Sequence, residues 1–331
     1  MAQNTIVFHD PPSIVGTYAV AGPKESQGPI GEYIHQKLSD DKFGENTFEK
    51  AERKMLSYAI GHVLADNGVR HGKVDAILSG DLLNQIVSAS FAARDFSIPL
   101  IGLYSACSTM SESLAVAACL LSGGFAETVV CATGSHFAAA ERQYRFPLEL
   151  GSTRPPCSQW TVTGAGAFLL KKGGEGVRIT SATFGKVVDF GVTDANNMGA
   201  AMAPAAADTL LRYFENTGER PEDFDCILTG DLGAYGGSVL EKLMAESGYS
   251  IQKNHRDCGT LIYKMDEDDY QGGSGAGCSA VTLASFIYKK MRERPSRILF
   301  AATGALLSTT TSQQGESIPG IAHAVTLESG L

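Results

Sequence analysis

Apolar residues in this chain fall into short blocks separated by sparser, helically spaced patterns. Blocks of four to eight read as buried strands, and longer 3.6-period patterns read as helices. The opening residues predict a short strand over 5–8. Residues 10–45, rich in Pro, Gly and charge, read as loop, with Pro11-Pro12 and Gly22-Pro23-Lys24-Glu25 as breakers. A helix is predicted after Asn46, which has Glu49 at capping-box spacing, and it runs through Met55, Ala59 and Val63 to Gly68. A strand over 74–79 follows, then a loop at Gly80-Asp81, a helix over 84–94 and a strand over 98–103. The segment 108–121 is apolar all round, as a buried helix is. Gly123-Gly124 ends it, and a strand over 127–132 follows. Residues 135–160 look irregular and polar. Strands over 162–171 and 177–186 read as a hairpin about Gly173-Gly174. The remainder predicts helices over 200–216, 237–247 and 276–291, with strands over 225–229, 260–264, 297–302 and 320–327.

That order repeats. Val74-Asp75-Ala76-Ile77-Leu78-Ser79-Gly80-Asp81-Leu82 returns 150 residues later as Phe224-Asp225-Cys226-Ile227-Leu228-Thr229-Gly230-Asp231-Leu232. Val129-Val130-Cys131-Ala132-Thr133-Gly134 returns 170 residues later as Leu299-Phe300-Ala301-Ala302-Thr303-Gly304. A repeat this long means a duplicated half-domain, not a solenoid. We place the division between residues 1–172 and 173–331. Alternating strands and helices predict α/β architecture with a largely parallel sheet in each half. The two apolar helices, 108–121 and 276–291, would lie between the sheets and make five layers.

Composition narrows the function. Of 331 residues, 44% are apolar and 19% charged, which suits a large core and not disorder. The net charge is −9 and Lys/Arg runs do not exceed a pair, so nucleic acid is not an expected partner. Seven Cys without CxxC or zinc-like spacing suit a reducing compartment, and no metal site is expected. The opening does not read as a signal peptide, and no uncharged apolar run approaches the ~18 residues of a membrane span. Peripheral attachment through another protein stays open.

Candidate chemistry centres on Cys107. Ser105-Ala106-Cys107-Ser108-Thr109 puts a thiol at the start of the buried helix, where unpaired N–H groups and the dipole favour thiolate. The alternative is an inert buried Cys. Glu112 is the one carboxylate in that helix and needs a partner if buried. Asp81 and Asp231 sit at equivalent strand ends. Capping explains Asp81, while Asp231 has either a capping or a pocket role.

The chain resembles the thiolase superfamily over nearly its whole length. The resemblance rests on the duplicated halves, Ala106-Cys107-Ser108, Thr163-Gly164-Ala165-Gly166-Ala167 and Ala302-Thr303-Gly304-Ala305. It implies the thiolase-like five-layer αβαβα fold from two duplicated halves, and pairing as a homodimer through an edge strand. Ketoacyl-ACP synthase III enzymes are its nearest catalytic relatives and would make Cys107 an acyl-accepting nucleophile. They also require a His where this chain has Gly230-Asp231, and an Asn in the turn here written Gly272-Gly273-Ser274-Gly275-Ala276-Gly277-Cys278. Both are missing from those places. Such donors contribute several kcal/mol to oxyanion stabilisation, so the pocket reads as converted from catalysis to binding. A condensing or acyl-transfer enzyme using Cys107 with other partners is the alternative.

Longer strings are similar to a non-catalytic sporulation branch of that superfamily in spore-forming bacteria. They are Ala21-Gly22-Pro23-Lys24-Glu25, Ala51-Glu52-Arg53-Lys54, Gly80-Asp81-Leu82-Leu83-Asn84-Gln85, Ala140-Glu141-Arg142-Gln143, Met202-Ala203-Pro204-Ala205-Ala206-Ala207-Asp208-Thr209, Gly272-Gly273-Ser274-Gly275 and Ala302-Thr303-Gly304-Ala305-Leu306-Leu307-Ser308. This similarity implies binding of dipicolinic acid or its calcium chelate. It also implies a peripheral place on the forespore inner membrane beside the channel-forming membrane proteins of the stage V sporulation A operon. No cofactor is implied beyond calcium within the chelate. A flat dianion needs N–H donors and cations. The candidates are Cys107, Ser108 and Thr109 at one helix start, Gly273, Ser274 and Gly275 in the other half, Arg142 and Arg145 as a clamp, and His136, Asp231 and His323 around the mouth.

Overall fold

Apolar blocks become strands where they can be covered on both faces, and capping residues set where helices begin. The computed structural model describes residues 4–144, 154–265 and 271–330. The strands in chain order are β1 (Thr5–Val7), β2 (Ser13–Ala21), β3 (Gln36–Lys37), β4 (Ala76–Gly80), β5 (Leu100–Gly102), β6 (Thr128–Ser135), β7 (Trp160–Thr161), β8 (Gly164–Lys171), β9 (Val177–Thr183), β10 (Cys226–Thr229), β11 (His255–Asp257), β12 (Gly273–Ser274), β13 (Ser296–Ala305) and β14 (Gly320–Ser329). The helices are α1 (Pro23–Ser26), α2 (Phe48–Asp66), α3 (Val87–Arg94), α4 (Thr109–Ser122), α5 (Phe137–Tyr144), α6 (Met198–Thr217), α7 (Gly233–Glu246), α8 (Cys258–Ile262), α9 (Ala276–Thr282), α10 (Tyr288–Glu293) and α11 (Thr309–Gln313). A π-helical turn over Leu283–Ile287 carries α9 into α10.

Hydrogen bonding orders the main sheet β11-β10-β13-β14-β9-β2-β8-β6-β4-β5, with β1 beside β9 and β3 beside β2. The order reads alike from its centre outwards. β2, β8 and β6 are successively antiparallel, and β4 and β5 continue in parallel. β9, β14 and β13 are likewise antiparallel, and β10 and β11 continue in parallel.

Three expectations fail here. The sheets are mixed, because the last strand of each group returns to lie between the group's first strand and its parallel set. They are also one hydrogen-bonded sheet, since Ser13 and Ile14 of β2 pair with Arg178 and Val177 of β9. The supposed hairpin about Gly173-Gly174 is absent for the same reason. Ser13 faces both Lys171 of β8 and Arg178 of β9, so β2 stands between them.

Three apolar clusters define five layers. Met55, Leu56, Ile60 and Val63 of α2 pack with Ala89 and Ala92 of α3 on Val20, Ile77 and Leu169. At the far side, Met202, Leu210 and Phe214 of α6 and Leu240 of α7 cover Ile227, Leu299 and Ala322. Between the two wings of the sheet, Met110 and Leu114 of α4 and Val281 of α9 share a cluster with Leu78, Phe168, Phe300 and Val325.

Local differences have local causes. Thr47, not Asn46, caps α2, its Oγ1 accepting from Lys50 N at 3.3 Å. The stretch read as loop contains β2, whose Tyr18 and Val20 pack on the α2 side of the sheet while Ile14, Ala19 and Ala21 pack on the other side. The stretch read as irregular contains α5. The predicted strand over 260–264 is α8, started by Asp257, whose side chain accepts from Gly259 N at 3.0 Å. The helix over 84–94 begins only at Val87, because Gln85 and Ile86 are left-handed with φ of 62° and 47°.

One close approach sets the site. A Cβ on Gly304 of β13 would lie 2.3 Å from the Ser105 carbonyl oxygen, inside any real contact. Gly304→Ala should therefore destabilise the fold by roughly 1–3 kcal/mol through overpacking. Gly315→Ala tests left-handed backbone alone, since nothing lies within 4 Å of a Cβ there. Urea unfolding of both variants checks this. An equal cost at the two positions would mean that the contact with Ser105 does not govern Gly304.

Candidate functional site

The chain leaves β5 at Gly102 and enters a tight turn over Ala106–Ser108 before α4. Ala106 takes a left-handed φ of 52°, which costs a non-glycine residue about 1 kcal/mol. Cys107 is buried among Leu82, Ala140 and Ala276, with Tyr144 and Leu306 packed alongside. Ser108 and Thr109 are also buried, their hydroxyls donating to the Ser105 and Ala106 carbonyls at 2.8 and 2.7 Å. Glu112 has its partner seven residues earlier, where Ser105 Oγ donates to Oε2 at 2.8 Å.

Asp231 lies just beyond β10 with its carboxylate fully inside. Oδ2 accepts from Ser274 Oγ at 2.9 Å and Gly275 N at 3.1 Å, and Oδ1 accepts from Thr303 Oγ1 at 2.8 Å. Burial pushes its pKa up to about 7; the Thr303 hydroxyl opposes this, and the nearby Asp257 charge adds to it. The same carboxylate meets the thiol. Burial raises the Cys107 pKa well above the usual range, and the Asp231 charge and hydrogen bond raise it further. The Gly275 N–H and Ser274 hydroxyl act the other way without reversing the result.

Of the two readings of Cys107, an activated thiolate and an inert buried thiol, this environment favours the thiol. A helix terminus contributes ~0.3–1 kcal/mol, whereas full burial moves such a group by up to several pKa units.

Other polar groups brace this centre. Asp257 accepts from Thr229 Oγ1 at 2.7 Å, Leu232 N at 2.9 Å and Gly233 N at 3.0 Å, which fixes the loop carrying Asp231. Gln159 Nε2 donates to the Asp231 and Gly273 carbonyls at 2.6 and 2.9 Å. Gln159 Oε1 is buried with no partner among the described residues. Asp81 caps α3, accepting from Leu83 N at 2.8 Å and Ala89 N at 2.7 Å.

A cleft of about 320 Å³ reaches this centre at Ser274, a size suited to a small ligand. Its other walls include Glu141, Tyr144, Gln159, Thr161, Asn196 and Leu307. No Lys or Arg stands among the described lining residues.

The structure brings Cys107, Asp231, Gly273, Ser274 and Gly275 together, with Ser108 and Thr109 beneath. It does not bring the others there. His136 is buried, its Nε2 bonded to the Asp41 carbonyl at 2.7 Å and its Nδ1 accepting from Ala138 N at 3.1 Å. Arg142 faces α2, 3.7 Å from Glu49 and over the Phe48 ring. His323 is on β14, its Nδ1 accepting from Gly185 N at 3.3 Å. Arg145 lies outside the described residues. Sequence reasoning passed over Gln159, Thr161 and Asn196, whose positions carry no motif. Glu141 stood in a quoted string without being singled out.

Comparison with known proteins agrees on the fold and narrows the family. A family model described as stage V sporulation protein AD matches residues 2–328. The chain belongs to the stage V sporulation protein AD family. Stage V sporulation protein AD of Bacillus subtilis strain 168 is 43% identical over 327 residues, covering 98% of this chain and 97% of that one. Solved structures share the fold at low identity. The 3-oxoacyl-[acyl-carrier-protein] synthase III of Aquifex aeolicus VF5 is 12% identical, with a TM-score of 0.59 over 96% of this chain and 99% of that one. Cerulenin-bound OleA of Xanthomonas campestris is 12% identical, with a TM-score of 0.61 over 98% of each chain. Those neighbours include condensing enzymes, whereas the family itself is named for sporulation. Among the described residues, no helix is long and apolar enough to cross a membrane.

Buried acids with raised pKa values fix the sign of the pH response. The folded state holds the Asp231 proton up to about pH 7, while the ordinary value is 3.8. Its contribution to stability is therefore complete below pH 3.8 and is lost as pH rises towards about 7. The difference in urea unfolding free energy between the native protein and Asp231→Asn should shift in favour of the variant across that window. A pH-independent difference would show that Asp231 stays ionised in the folded protein.

Proposed function

We propose that this protein is a non-catalytic binding component that takes dipicolinate as its calcium chelate. The observation that carries the reading is the buried Asp231 carboxyl group, held by Ser274, Gly275 and Thr303, beside the buried Cys107 thiol. A thioester-forming Cys needs thiolate character and a base. Here the neighbouring group disfavours the thiolate, His136 and His255 are engaged in other bonds, and His323 accepts from Gly185 N through Nδ1 while its buried Nε2 has no partner among the described residues. Above about pH 7, where Asp231 is ionised, a developing oxyanion in this space would meet a carboxylate instead of a donor.

The chelate fits the cleft better than the free dianion does. Two ligand carboxylates would enter a space whose described walls carry Glu141 and no cation, an unfavourable burial of unpaired charge. Calcium cancels the ligand's charge and takes oxygen donors, and Glu141, Gln159 Oε1 and Asn196 offer them. The sporulation family supports dipicolinate as the ligand. It also supports a peripheral place at the forespore inner membrane, with membrane proteins of the stage V sporulation A operon as partners and a homodimer joined through an edge strand. The second reading, a condensing or acyl-transfer enzyme, is favoured by the retained Cys107 alone.

Calorimetric titration tests the binding role. Dipicolinate with equimolar calcium should give saturable heat, at least ~10-fold tighter than dipicolinate in excess chelator, a difference of about 1.4 kcal/mol. Glu141→Gln should narrow that gap. Cys107→Ala should change chelate affinity by less than ~1 kcal/mol, the scale of one neutral hydrogen bond. Absence of saturable heat with either form contradicts the function, and tighter binding without calcium contradicts the chelate.

A further inference from the structure

Far from the cleft, between β10, β11 and the basic end of α10, lies a second groove of about 360 Å³. Its floor is apolar, formed by Leu261, Phe286, Ile287 and Ile298. Its rim carries Lys253 and Arg256 on one side and Lys290 and Arg294 on the other, against Asp225 as the one lining carboxylate among the described residues. Lys290 also pairs with Glu293 at 2.9 Å, at the surface. Lys289 and Arg292 of the same helix are exposed and extend the positive face. In a chain of net charge −9 this concentration of cations is a local inversion.

We propose that this groove docks an anionic phospholipid of a bilayer, with the phosphate on the basic rim and the start of an acyl chain on the apolar floor. Charge complementarity favours this occupant. Each Lys or Arg held near an anionic membrane surface adds attraction within a Debye length. Size argues against a protein segment as the main occupant, because a helix with its side chains is about 10–12 Å across and a stable protein interface covers about 800 Å² per partner. The reading is independent of the dipicolinate cleft and gives the chain a membrane-facing side of its own.

Vesicle flotation of the full chain tests it. The protein should float with vesicles of mixed phosphatidylglycerol and phosphatidylcholine, and not with phosphatidylcholine alone. It should be released at about 0.5 M salt, where the Debye length is about 4 Å. Millimolar inorganic phosphate should not release it. Combined Lys253→Glu, Arg256→Glu, Lys290→Glu and Arg294→Glu should lower flotation more than about tenfold. Lys50→Glu, Lys73→Glu, Lys171→Glu and Lys172→Glu, which change net charge equally, should leave it intact. The glutamine versions of the four rim changes replace the reversal if that variant loses its melting transition. Failure to float with either vesicle, equal loss in both variants, or release by inorganic phosphate overturns the proposal. So does binding of an acidic amphipathic peptide when neither vesicle binds.

Discussion

A carboxylate sealed from water and gripped by donors from two other segments governs the interior of this protein. Asp231 leaves β10 and ties Thr303 of β13 to Ser274 and Gly275, the turn that starts α9. Each tie spans dozens of residues in sequence. A buried acid is costly unless its oxygens are satisfied, so the loop, the turn and the strand must all stand where they do. Gly304, directly after Thr303, brings the Ser105 carbonyl into near contact and so adds the Cys107 turn to the same knot.

That arrangement decides the chemistry available. The fold matches condensing enzymes at 12% identity, which shares architecture and nothing finer. The thiol sits at a helix start, where nucleophiles are often found, yet burial and an acid neighbour hold its proton. The same acid's loop is braced by Asp257 and by the Gln159 amide. Ser274 is where the braced centre meets the cleft, and a ligand there would feel the oxygen-rich walls before it reached the sulfur.

Much of this was legible in the sequence. The returning string around Asp81 and Asp231 marks β4 and β10, which occupy matching places in the sheet. The apolar run 108–121 and the glycine-rich turn at 272–277 pointed to the central helices. Strand direction was not legible, because β8 and β14 are placed by partners distant in sequence and not by their own alternation. His136, Arg142 and His323 are chemically versatile side chains, and only their neighbours show that they serve the scaffold. Gln159 has no local signal at all; its role comes from carbonyls at 231 and 273. The basic groove escaped notice for a related reason. Its cations come from the charged run at 289–294 and from Lys253 and Arg256, and only the fold brings the two segments together over an apolar floor.

The claim that this centre binds rather than reacts is tested most directly by intact-mass measurement after incubation with acyl-CoA across neutral and mildly alkaline pH. The account predicts an unmodified chain, with Cys107 free throughout. A stable acyl adduct mapped to Cys107, formed at the rate of a working thioester-accepting enzyme, would contradict it.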